Sequence, residues 1–465
     1  MSAPDLQQLR AEAVQCHQSG DLAGAEIRYA QILALEPHSF TANHLFGMLR
    51  TQQGRGAEAL ALLDRALAIK PDHPGAQYLR ANALLQLGRK EDAVAGYGRA
   101  LALKPDFPEA LNNRGNLQQS LGRHDEALAS YDRALALNPG NVMALNNRGI
   151  TLRSLGRREE ALASYDQALS LNPDFASAHS NRGKLLFDLH RIDEGLAALR
   201  RAAELGLRPE PPGPPPPHRL RHDREQQDYL GGTDDGRLSL EGGERIAGPA
   251  LNSADAAAIS ERWRGSKPQL VVIDNLLTAE ALAGLRRFCL GSKIWRKAFD
   301  DGYLGAFPEH GFACPLLAQI AEEFRAVFPA IFGAHPLHNL WAFKYDSTLS
   351  GINVHADEAA VNVNFWITPD EANLDPASGG LKVWDVDAPL DWDFLKFNGD
   401  VAATRDFLRR SGAKSITVPY RANRAVIFDS DLFHETDRIA FKEGYLNRRI
   451  NVTLLYGRRE AGRAA

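Results

Sequence analysis

The stretch PDFPEALNNRGNLQQSLGRHDEALASYDRALALN, residues 105–138, defines the period of the first half of the chain. Its first proline recurs at equal intervals, at Pro37, Pro71, Pro105, Pro139 and Pro173. Small residues recur in the same frame, at Gly47, Ala81, Gly115, Gly149 and Gly183, and again at Ala59, Ala93, Ala127 and Ala161. A period of this length is typical of helical hairpins that stack because none of them can bury its apolar face alone. We therefore predict an all-α repeat array in this half.

The pattern resembles the tetratricopeptide repeat, in which small residues lie where helices contact and a proline separates the units. The first of six units is degenerate, as expected of a terminal cap, and the units start near Ala3, Pro37, Pro71, Pro105, Pro139 and Pro173. Stacking of these units predicts a solenoid over residues 3–206 with a concave groove.

Three successive units carry an asparagine just before an Arg-Gly pair, at Asn113, Asn147 and Asn181. In superhelical repeat proteins similar to this one, an asparagine there faces the groove and can hydrogen-bond an extended peptide, because an amide both donates and accepts. The alternative is that NNRG is repeat consensus that stabilises each hairpin. The first interpretation predicts a protein or peptide partner for the groove.

Charge and cysteine content exclude several classes of partner and compartment. Lys and Arg number 54 against 58 Asp and Glu, so the net charge of −4 gives no argument for nucleic acid or an anionic membrane. Three scattered cysteines fit a reducing compartment. No apolar stretch approaches the roughly 20 residues that span a bilayer, and the N-terminus lacks the features of a secretion signal. We expect a cytoplasmic protein that binds neither nucleic acid nor membrane.

A proline-rich segment, LRPEPPGPPPP at 207–217, ends the predicted solenoid, because proline cannot continue a helix. We predict a linker over 207–266 that contains a short helix at 218–230 and a glycine-rich loop. His218 and His222 lie one helical turn apart on this helix, a spacing at which two imidazoles can bind a metal. No acidic or cysteine partner accompanies them, so we interpret them as part of a solvated helix face.

From Lys267 the chain changes to short apolar or alternating segments. QLVVIDN (269–275) indicates a strand, and helical periodicity follows over 278–290 and 314–333. The other strand-length segments are LWAFKYD, INVHAD, VNVNFWIT, GGLKVWD, SITVPY, RAVIFDSD, LFHET and RINVTLLYG, with a helical insert near 401–410. Many short strands separated by turns predict a β-sandwich or jelly roll with two helices on one face.

Two histidines and one aspartate have the spacing of a metal site. His355 and Asp357 flank a single alanine at the end of a predicted strand, where alternate side chains point the same way. His434 follows much later in the chain, at the end of another predicted strand. Two imidazoles and a carboxylate form the facial triad of non-haem Fe(II) oxygenases. The competing interpretation places His355 in a satisfied core or turn and His434 in a surface loop.

An arginine follows at a suitable distance. On the alternating segment RINVT, Arg449, Asn451 and Thr453 share one face, while Arg448 points to the other. A buried guanidinium can bind a carboxylate through two parallel hydrogen bonds.

Together these residues resemble the Fe(II)/2-oxoglutarate-dependent dioxygenases, in a branch similar to the prolyl 4-hydroxylase-like enzymes. The resemblance covers about residues 268–457, and the residues that carry it are His355, Asp357, Gly379, Gly380, Leu381, His434 and Arg449. It implies a double-stranded β-helix, or jelly-roll, domain with flanking helices over 267–458, followed by a tail at 459–465. A long insert containing DWDFLKFNGD departs from the prolyl-hydroxylase pattern.

The resemblance also implies the cofactors and their ligands. His355, Asp357 and His434 are expected to bind Fe(II), and Arg449 to bind the far carboxylate of 2-oxoglutarate. Tyr345 lies on a strand that usually lines the cosubstrate pocket, as does Asn364. With O₂ as oxidant, the expected reaction yields succinate, CO₂ and a hydroxylated C–H bond, and a carboxylate at the second ligand position argues against halogenation.

Three functions follow from the combination of a repeat array and an oxygenase. The first is a hydroxylase whose protein or peptide substrate is recruited by the groove. The second is a small-molecule oxygenase whose repeats serve complex assembly. The third is a scaffold whose oxygenase domain is inactive. The insert at 385–411 distinguishes the first two, because a wide cleft favours a peptide and a closed lid a small molecule.

Overall fold

The computed structural model describes residues 3–206, 214–231, 238–349 and 352–459. The chain forms two compact units, Met1–Pro173 and Asp174–Ala465. Parts of the predicted linker, at 207–213 and 232–237, lie outside the described residues, as does most of the predicted tail.

The first compact unit is built of helices alone in its described part. They are α1 (Ala3–Gln18), α2 (Leu22–Leu35), α3 (Phe40–Gln52), α4 (Gly56–Ile69), α5 (Pro74–Gln86), α6 (Lys90–Leu103), α7 (Pro108–Ser120), α8 (His124–Leu137), α9 (Val142–Ser154) and α10 (Arg158–Leu171). Each odd-numbered helix packs against the helix that follows it, giving five successive hairpins. The predicted all-α array is confirmed here.

Close packing explains the small-residue slots. A Cβ added at Gly115 would lie 2.8 Å from Cε1 of Tyr131, and one at Gly149 would lie 2.5 Å from Cε1 of Tyr165. Real Cβ atoms do not approach so closely, so the two helices of each hairpin need glycine here to accept the buried tyrosine ring.

The second compact unit begins with a further helical hairpin and continues with helices and strands. Its helices are α11 (Ala176–Asp188), α12 (Ile192–Leu205), α13 (Pro217–Leu230), α14 (Ala256–Gly265), α15 (Ala279–Gly291), α16 (Pro315–Val327), α17 (Pro329–Phe332), α18 (Phe394–Gly399) and α19 (Val401–Arg410). Its strands are β1 (Leu270–Ile273), β2 (Lys297–Phe299), β3 (Tyr303–Ala306), β4 (Leu337–Tyr345), β5 (Thr348–Leu349), β6 (Val361–Trp366), β7 (Leu381–Asp387), β8 (Ser415–Val418), β9 (Ala425–Asp429), β10 (Leu432–Thr436), β11 (Ile439–Ala440) and β12 (Ile450–Tyr456).

The strands form a seven-stranded sheet, here the large sheet, in the order β1-β9-β6-β12-β4-β3-β2. The small sheet has the order β10-β7-β8, and β11 pairs with β5. One apolar cluster joins Trp366 and Phe428 of the large sheet to Val383 and Leu432 of the small sheet, so these two sheets face each other. A second cluster covers the other face of the large sheet with α15 and α16. The predicted β-rich second half is confirmed. The prediction of helices on one face was incomplete, because α18 and α19 also pack on the outer face of the small sheet, against Phe433 and Trp384.

The sixth predicted repeat, α11 and α12, belongs to the second compact unit, so the predicted solenoid end at residue 206 lies inside that unit. Helix α12 packs against α16, and its Leu196 and Leu199 join the cluster on the outer face of the large sheet. The repeat period does not predict this, because the side chains that cover α12 come from the β-rich half.

Two local predictions were wrong. The helix at 218–230 is α13, but His222 is fully buried and not solvated, because α13 packs against the β-rich domain. Gln226 on this helix donates to Ser292 O at 3.0 Å and to Tyr445 Oη at 3.0 Å. The segment INVHAD makes a single β-bridge, between His355 and His434, and no regular strand.

Candidate metal centre

His355, Asp357 and His434 lie together in the second compact unit. One ligand atom from each lies within 4.8 Å of the other two. The bridge between His355 and His434 fixes this approach through two backbone hydrogen bonds, His355 N to His434 O at 3.0 Å and His434 N to His355 O at 2.8 Å. His434 lies on β10, so the small sheet carries one ligand and the segment entering β6 carries the others.

Backbone carbonyl groups determine which imidazole nitrogen is free. Nδ1 of His355 lies 2.8 Å from Asn353 O, and Nδ1 of His434 lies 3.1 Å from Leu432 O. A carbonyl oxygen only accepts, so each Nδ1 carries the proton and donates it. Each Nε2 then has its lone pair available for a metal, as in metal-binding histidines whose other ring nitrogen donates to a backbone carbonyl.

The carboxylate of Asp357 faces both imidazoles. Its Oδ2 lies 3.4 Å from Nε2 of His434, and its Oδ1 lies 4.0 Å from Nε2 of His355. Asn362 donates from Nδ2 to Oδ2 of Asp357 at 2.6 Å, which fixes the orientation of the carboxylate. Three lone-pair donors therefore converge, an arrangement that a cation between them stabilises.

The protonation states suit a cation. Burial alone raises the pKa of Asp357, but its interaction with His434 and the hydrogen bond from Asn362 outweigh burial, so the pKa lies below its usual value. Burial and the neighbouring His434 lower the pKa of His355. An anionic carboxylate and a neutral imidazole are the forms that bind a metal ion.

A chain of buried polar side chains leads from Asp357 into the large sheet. Asn364 donates to Asn362 Oδ1 at 2.6 Å, and Asn451 and Thr453 of β12 donate to Asn364 Oδ1 at 2.7 and 2.9 Å. All four of these asparagine and threonine residues are buried, and Oδ1 of Asn451 has no hydrogen-bond partner among the described residues. The inward face of β6 and β12 is thus polar beside the three candidate ligands.

Arg449 is buried at the start of β12 without a carboxylate among the described residues beside it. Its Nε donates to Gly379 O at 2.7 Å and its Nη2 to Gly380 O at 3.3 Å. Its Nη1 has no hydrogen-bond partner in the described part of the chain. The guanidinium lies 4.6 Å from the centre of the Tyr345 ring. Buried polar groups are almost always paired, so Nη1 indicates a position for an acceptor from outside the chain.

Tyr345 connects the arginine to the strand that carries His434. Its hydroxyl lies 3.3 Å from Oγ1 of Thr436, which follows His434 on β10. The turn at 379–380 closes this region and requires glycine, since a Cβ on Gly380 would lie 1.8 Å from Val418 O. The structure therefore places Arg449, Tyr345 and Asn364 around the same sheet-enclosed interior as the three candidate ligands.

The three asparagines predicted to bind peptide are not placed alike. Asn113 donates to Tyr78 Oη at 3.0 Å and Asn147 donates to Asn116 Oδ1 at 2.8 Å, so both amide groups hydrogen-bond between neighbouring repeats. Asn181 lies on α11, in the second compact unit. Peptide binding by these residues stays a prediction.

Sequence reasoning missed Asn362 and the contact of the insert with the backbone between two candidate ligands. The alternation of asparagine and apolar residues in VNVNFW was the available signal for Asn362. In the insert, Phe397 O accepts from Ala356 N at 3.2 Å, and Asn398 Nδ2 donates to Ala356 O at 3.1 Å. Ala356 lies between His355 and Asp357, so the insert is bonded to the backbone that carries two candidate ligands.

Comparison with known proteins identifies the repeats. Family models described as tetratricopeptide repeat match residues 18–74, 50–121, 108–141 and 130–163, and one described as TPR repeat matches 151–190. Residues 18–190 therefore contain tetratricopeptide repeats. A search of curated proteins returned no match. No helix in the described part of the chain has the length and apolar composition needed to cross a bilayer.

Several solved structures are similar to part of the chain. YrrB, a TPR protein with an unusual peptide-binding site, is 21% identical and covers 38% of this chain and 91% of its own, with a TM-score of 0.35. A tetratricopeptide repeat protein from Parabacteroides merdae ATCC 43184 is 22% identical and covers 44% and 85%, with a TM-score of 0.39. MamA from Desulfovibrio magneticus RS-1 is 19% identical and covers 36% and 94%, with a TM-score of 0.35.

Proposed function

We propose that the second compact unit is an Fe(II)- and 2-oxoglutarate-dependent dioxygenase that hydroxylates a protein or peptide. The proposal rests on the convergence of His355, Asp357 and His434, whose ligand atoms lie within 4.8 Å of one another. Two imidazoles and one carboxylate are the donor set of non-haem Fe(II) oxygenases. The facing large and small sheets support a double-stranded β-helix as the fold of this domain.

The surroundings of Arg449 fit the cosubstrate. The Nη1 atom without a partner provides the donor that a carboxylate would accept from, and the Tyr345 ring packs against the guanidinium. A buried guanidinium without a direct ion pair is expected to bind a carboxylate strongly because the interior is of low dielectric. Among the described residues, this arginine forms no ion pair with Asp or Glu.

When bound, Fe(II), 2-oxoglutarate and O₂ supply an oxidative decarboxylation coupled to hydroxylation of a C–H bond. The chain orients these groups. Asn362 fixes the carboxylate of Asp357, and the carbonyl groups of Asn353 and Leu432 fix the two imidazoles. The side chain of His355 is 19% exposed, against 5% for His434, so we expect the substrate to approach from the His355 side.

A protein or peptide is the proposed substrate class, because the same chain contains tetratricopeptide repeats over 18–190. Helix α18 of the insert hydrogen-bonds to the backbone of Ala356, between the candidate ligands, and exposes Phe394 and Leu395, which are 49% and 77% exposed. Exposed apolar side chains beside the site favour a polypeptide over a small polar molecule. A small-molecule oxygenase whose repeats serve assembly remains the alternative for the catalytic unit.

A second candidate function is a scaffold that binds a protein partner and has no catalytic activity. The observation that favours it is the set of five tetratricopeptide-repeat matches. It accounts for the repeats but leaves the cluster of His355, Asp357 and His434 and the incompletely bonded Arg449 without a role.

The test loads the full chain with Fe(II) under anaerobic conditions, then adds O₂ and 2-oxoglutarate and measures succinate and bound iron. We expect wild type to form succinate and to bind one iron per chain. We expect His355→Ala to form succinate only at background level and to lose iron, because two ligands hold a metal far more weakly than three. His38→Ala, at an exposed histidine of the first compact unit, is the matched control and should equal wild type. Equal succinate from wild type and His355→Ala contradicts the oxygenase and leaves the scaffold.

A further inference from the structure

Three arginines occupy the same position in successive repeats of the first compact unit. They are Arg80, Arg114 and Arg148, on α5, α7 and α9. Two of them pair with an aspartate on the last helix of the preceding repeat. Arg80 Nε lies 2.5 Å from Asp64 Oδ1, and Arg148 Nε lies 2.6 Å from Asp132 Oδ1. The pair joins the second helix of one repeat to the first helix of the next.

The middle arginine lacks this partner. Gly98 stands where Asp64 and Asp132 stand in the neighbouring repeats, and a Cβ at Gly98 would meet nothing within 4 Å. Arg114 donates from Nε to Ser130 Oγ at 3.1 Å and forms no ion pair among the described residues. The nearest acidic influence is Glu126, which accepts from Gln118 at 2.9 Å instead.

A second arginine, Arg133 on α8, acts on Arg114. It donates to Pro105 O at 3.4 Å and forms no ion pair with a described carboxylate. Arg99, next to Gly98 in the chain, instead donates to Gln77 Oε1 on α5 at 3.2 Å. Burial, and after it the charge of Arg133, lowers the pKa of the half-buried Arg114, so the cations are close enough to repel one another. An anion that enters the open space beside Gly98 would relieve this repulsion between the arginines.

We propose that Gly98, Arg114 and Arg133, here the arginine site, bind a carboxylate side chain of an acidic polypeptide segment. A carboxylate is the matching group because aspartate already fills the equivalent position beside Arg80 and Arg148. A polypeptide is the matching source because the two cations lie on different helices, α7 and α8, and an acidic chain can reach both at once. The proposal deepens the protein-partner part of the proposed function and does not depend on the oxygenase activity.

The test titrates the full chain with fluorescein-labelled hexaglutamate and, as a control, with hexaglutamine. Gly98→Asp supplies the missing carboxylate from within the chain, Gly98→Ala adds a side chain without charge, and Arg114→Gln removes the cation. We expect Gly98→Asp and Arg114→Gln each to weaken hexaglutamate binding about tenfold or more, the loss of one charge-assisted hydrogen-bonded pair. We expect Gly98→Ala to bind within about twofold of wild type, and hexaglutamine not to bind.

Three results would overturn the proposal. One is hexaglutamate binding by Gly98→Asp within twofold of wild type. Another is an equal loss in Gly98→Ala and Gly98→Asp, which would make filled space and not charge the cause. The third is competition by free glutarate at the same carboxylate concentration, which would assign the site to small anions. His355→Ala, which removes a candidate iron ligand, should bind hexaglutamate as tightly as wild type, so failure here and failure of the oxygenase are distinguishable. Thermal unfolding verifies that each variant is folded.

Discussion

Arg448 and Arg449 are adjacent and both buried, yet they lie in opposite surroundings. Arg448 donates to Glu225 on α13 at 2.9 Å and to Asp346 at 2.9 Å. Arg449 donates to two backbone carbonyl groups, and its Nη1 has no partner among the described residues. Neighbouring residues in extended backbone point to opposite faces, so one cation faces α13 and the other the interior between the sheets.

The difference separates an arginine that stabilises the fold from one that is proposed to bind a ligand. A buried charge without a counterion is costly, and the chain neutralises the cation on the α13 face with two of its own carboxylates. On the other face no described carboxylate forms an ion pair with Arg449, and only the more distant charge of Asp437 acts on it. A fold tolerates such a group where a ligand completes it, so the comparison distinguishes a structural arginine from one that binds an external anion. Substitution of Arg448 should therefore lower the stability of the fold, whereas substitution of Arg449 should weaken ligand binding.

The largest effect is expected at Arg448. Arg448→Met leaves Glu225 without its cation and Asp346 with Arg221 alone, and the free energy of unfolding of the second compact unit should fall by about 3 kcal/mol. Urea unfolding followed by tryptophan fluorescence measures this unit alone, because all six tryptophans lie after residue 173. The control is Arg421→Met, which breaks an ion pair with Asp274 that is half exposed and should cost at most about 1 kcal/mol. Equal losses of unfolding free energy in Arg448→Met and Arg421→Met would mean that the buried ion pairs of Arg448 stabilise the fold no more than an exposed pair does.

Substitution of Arg449 should weaken 2-oxoglutarate binding more than it lowers the free energy of unfolding. Arg449→Gln removes the cation and should raise the KM for 2-oxoglutarate about 30-fold or more, the loss expected for one partner of a buried charged pair. Its free energy of unfolding should fall less than that of Arg448→Met, because no internal carboxylate loses a partner. Arg449→Lys is the matched control for geometry, since it keeps the charge without the planar fork. Iron binding should be unchanged in both variants, and an unchanged KM in Arg449→Gln would contradict the assignment.

The repeats could be read from the sequence because their signals are local. A proline, a glycine and a tyrosine recur at fixed spacing, and each acts within its own hairpin, as Gly115 and Tyr131 do. Alternation along extended backbone predicts that Arg449, Asn451 and Thr453 share one face, and Asn451 and Thr453 both donate to Asn364 in the interior. The donor set of His355, Asp357 and His434 could be proposed from residue types, and the addition of Arg449 only through family resemblance, because their proximity depends on contacts between segments that are distant in the chain.

The environment of α13 could not be predicted in this way. Its sequence is strongly polar, so periodicity indicates a solvated helix, while in the structure His222 and Gln226 are buried. The reason is tertiary, since Arg448 and Tyr445 from the far end of the chain supply a charged and an aromatic partner to this helix. Local composition carries no information about such partners.

His222 provides the smallest test of the comparison, because it lies on α13, the helix that Arg448 faces. Its Nδ1 lies 3.1 Å from Asp223 Oδ1, while its Nε2 has no hydrogen-bond partner among the described residues. Burial lowers its pKa well below the usual 6.5, and the charges of Lys344, Arg448, Arg219 and His218 lower it further. The native state therefore holds this imidazole neutral.

Below pH 6.5 the unfolded chain binds a proton at His222 that the native state does not, so stability is lost as the pH falls. The slope from this residue reaches at most about 1.4 kcal/mol per pH unit. We expect urea unfolding of the metal-free chain between pH 7 and 5 to show a shallower loss in His222→Gln than in wild type, while His38→Gln, at an exposed histidine, should parallel wild type. If the stability of His222→Gln changed with pH in parallel with that of wild type, the native state would bind a proton at His222 as readily as the unfolded chain does. The α13 face would then not exclude protons from this buried imidazole.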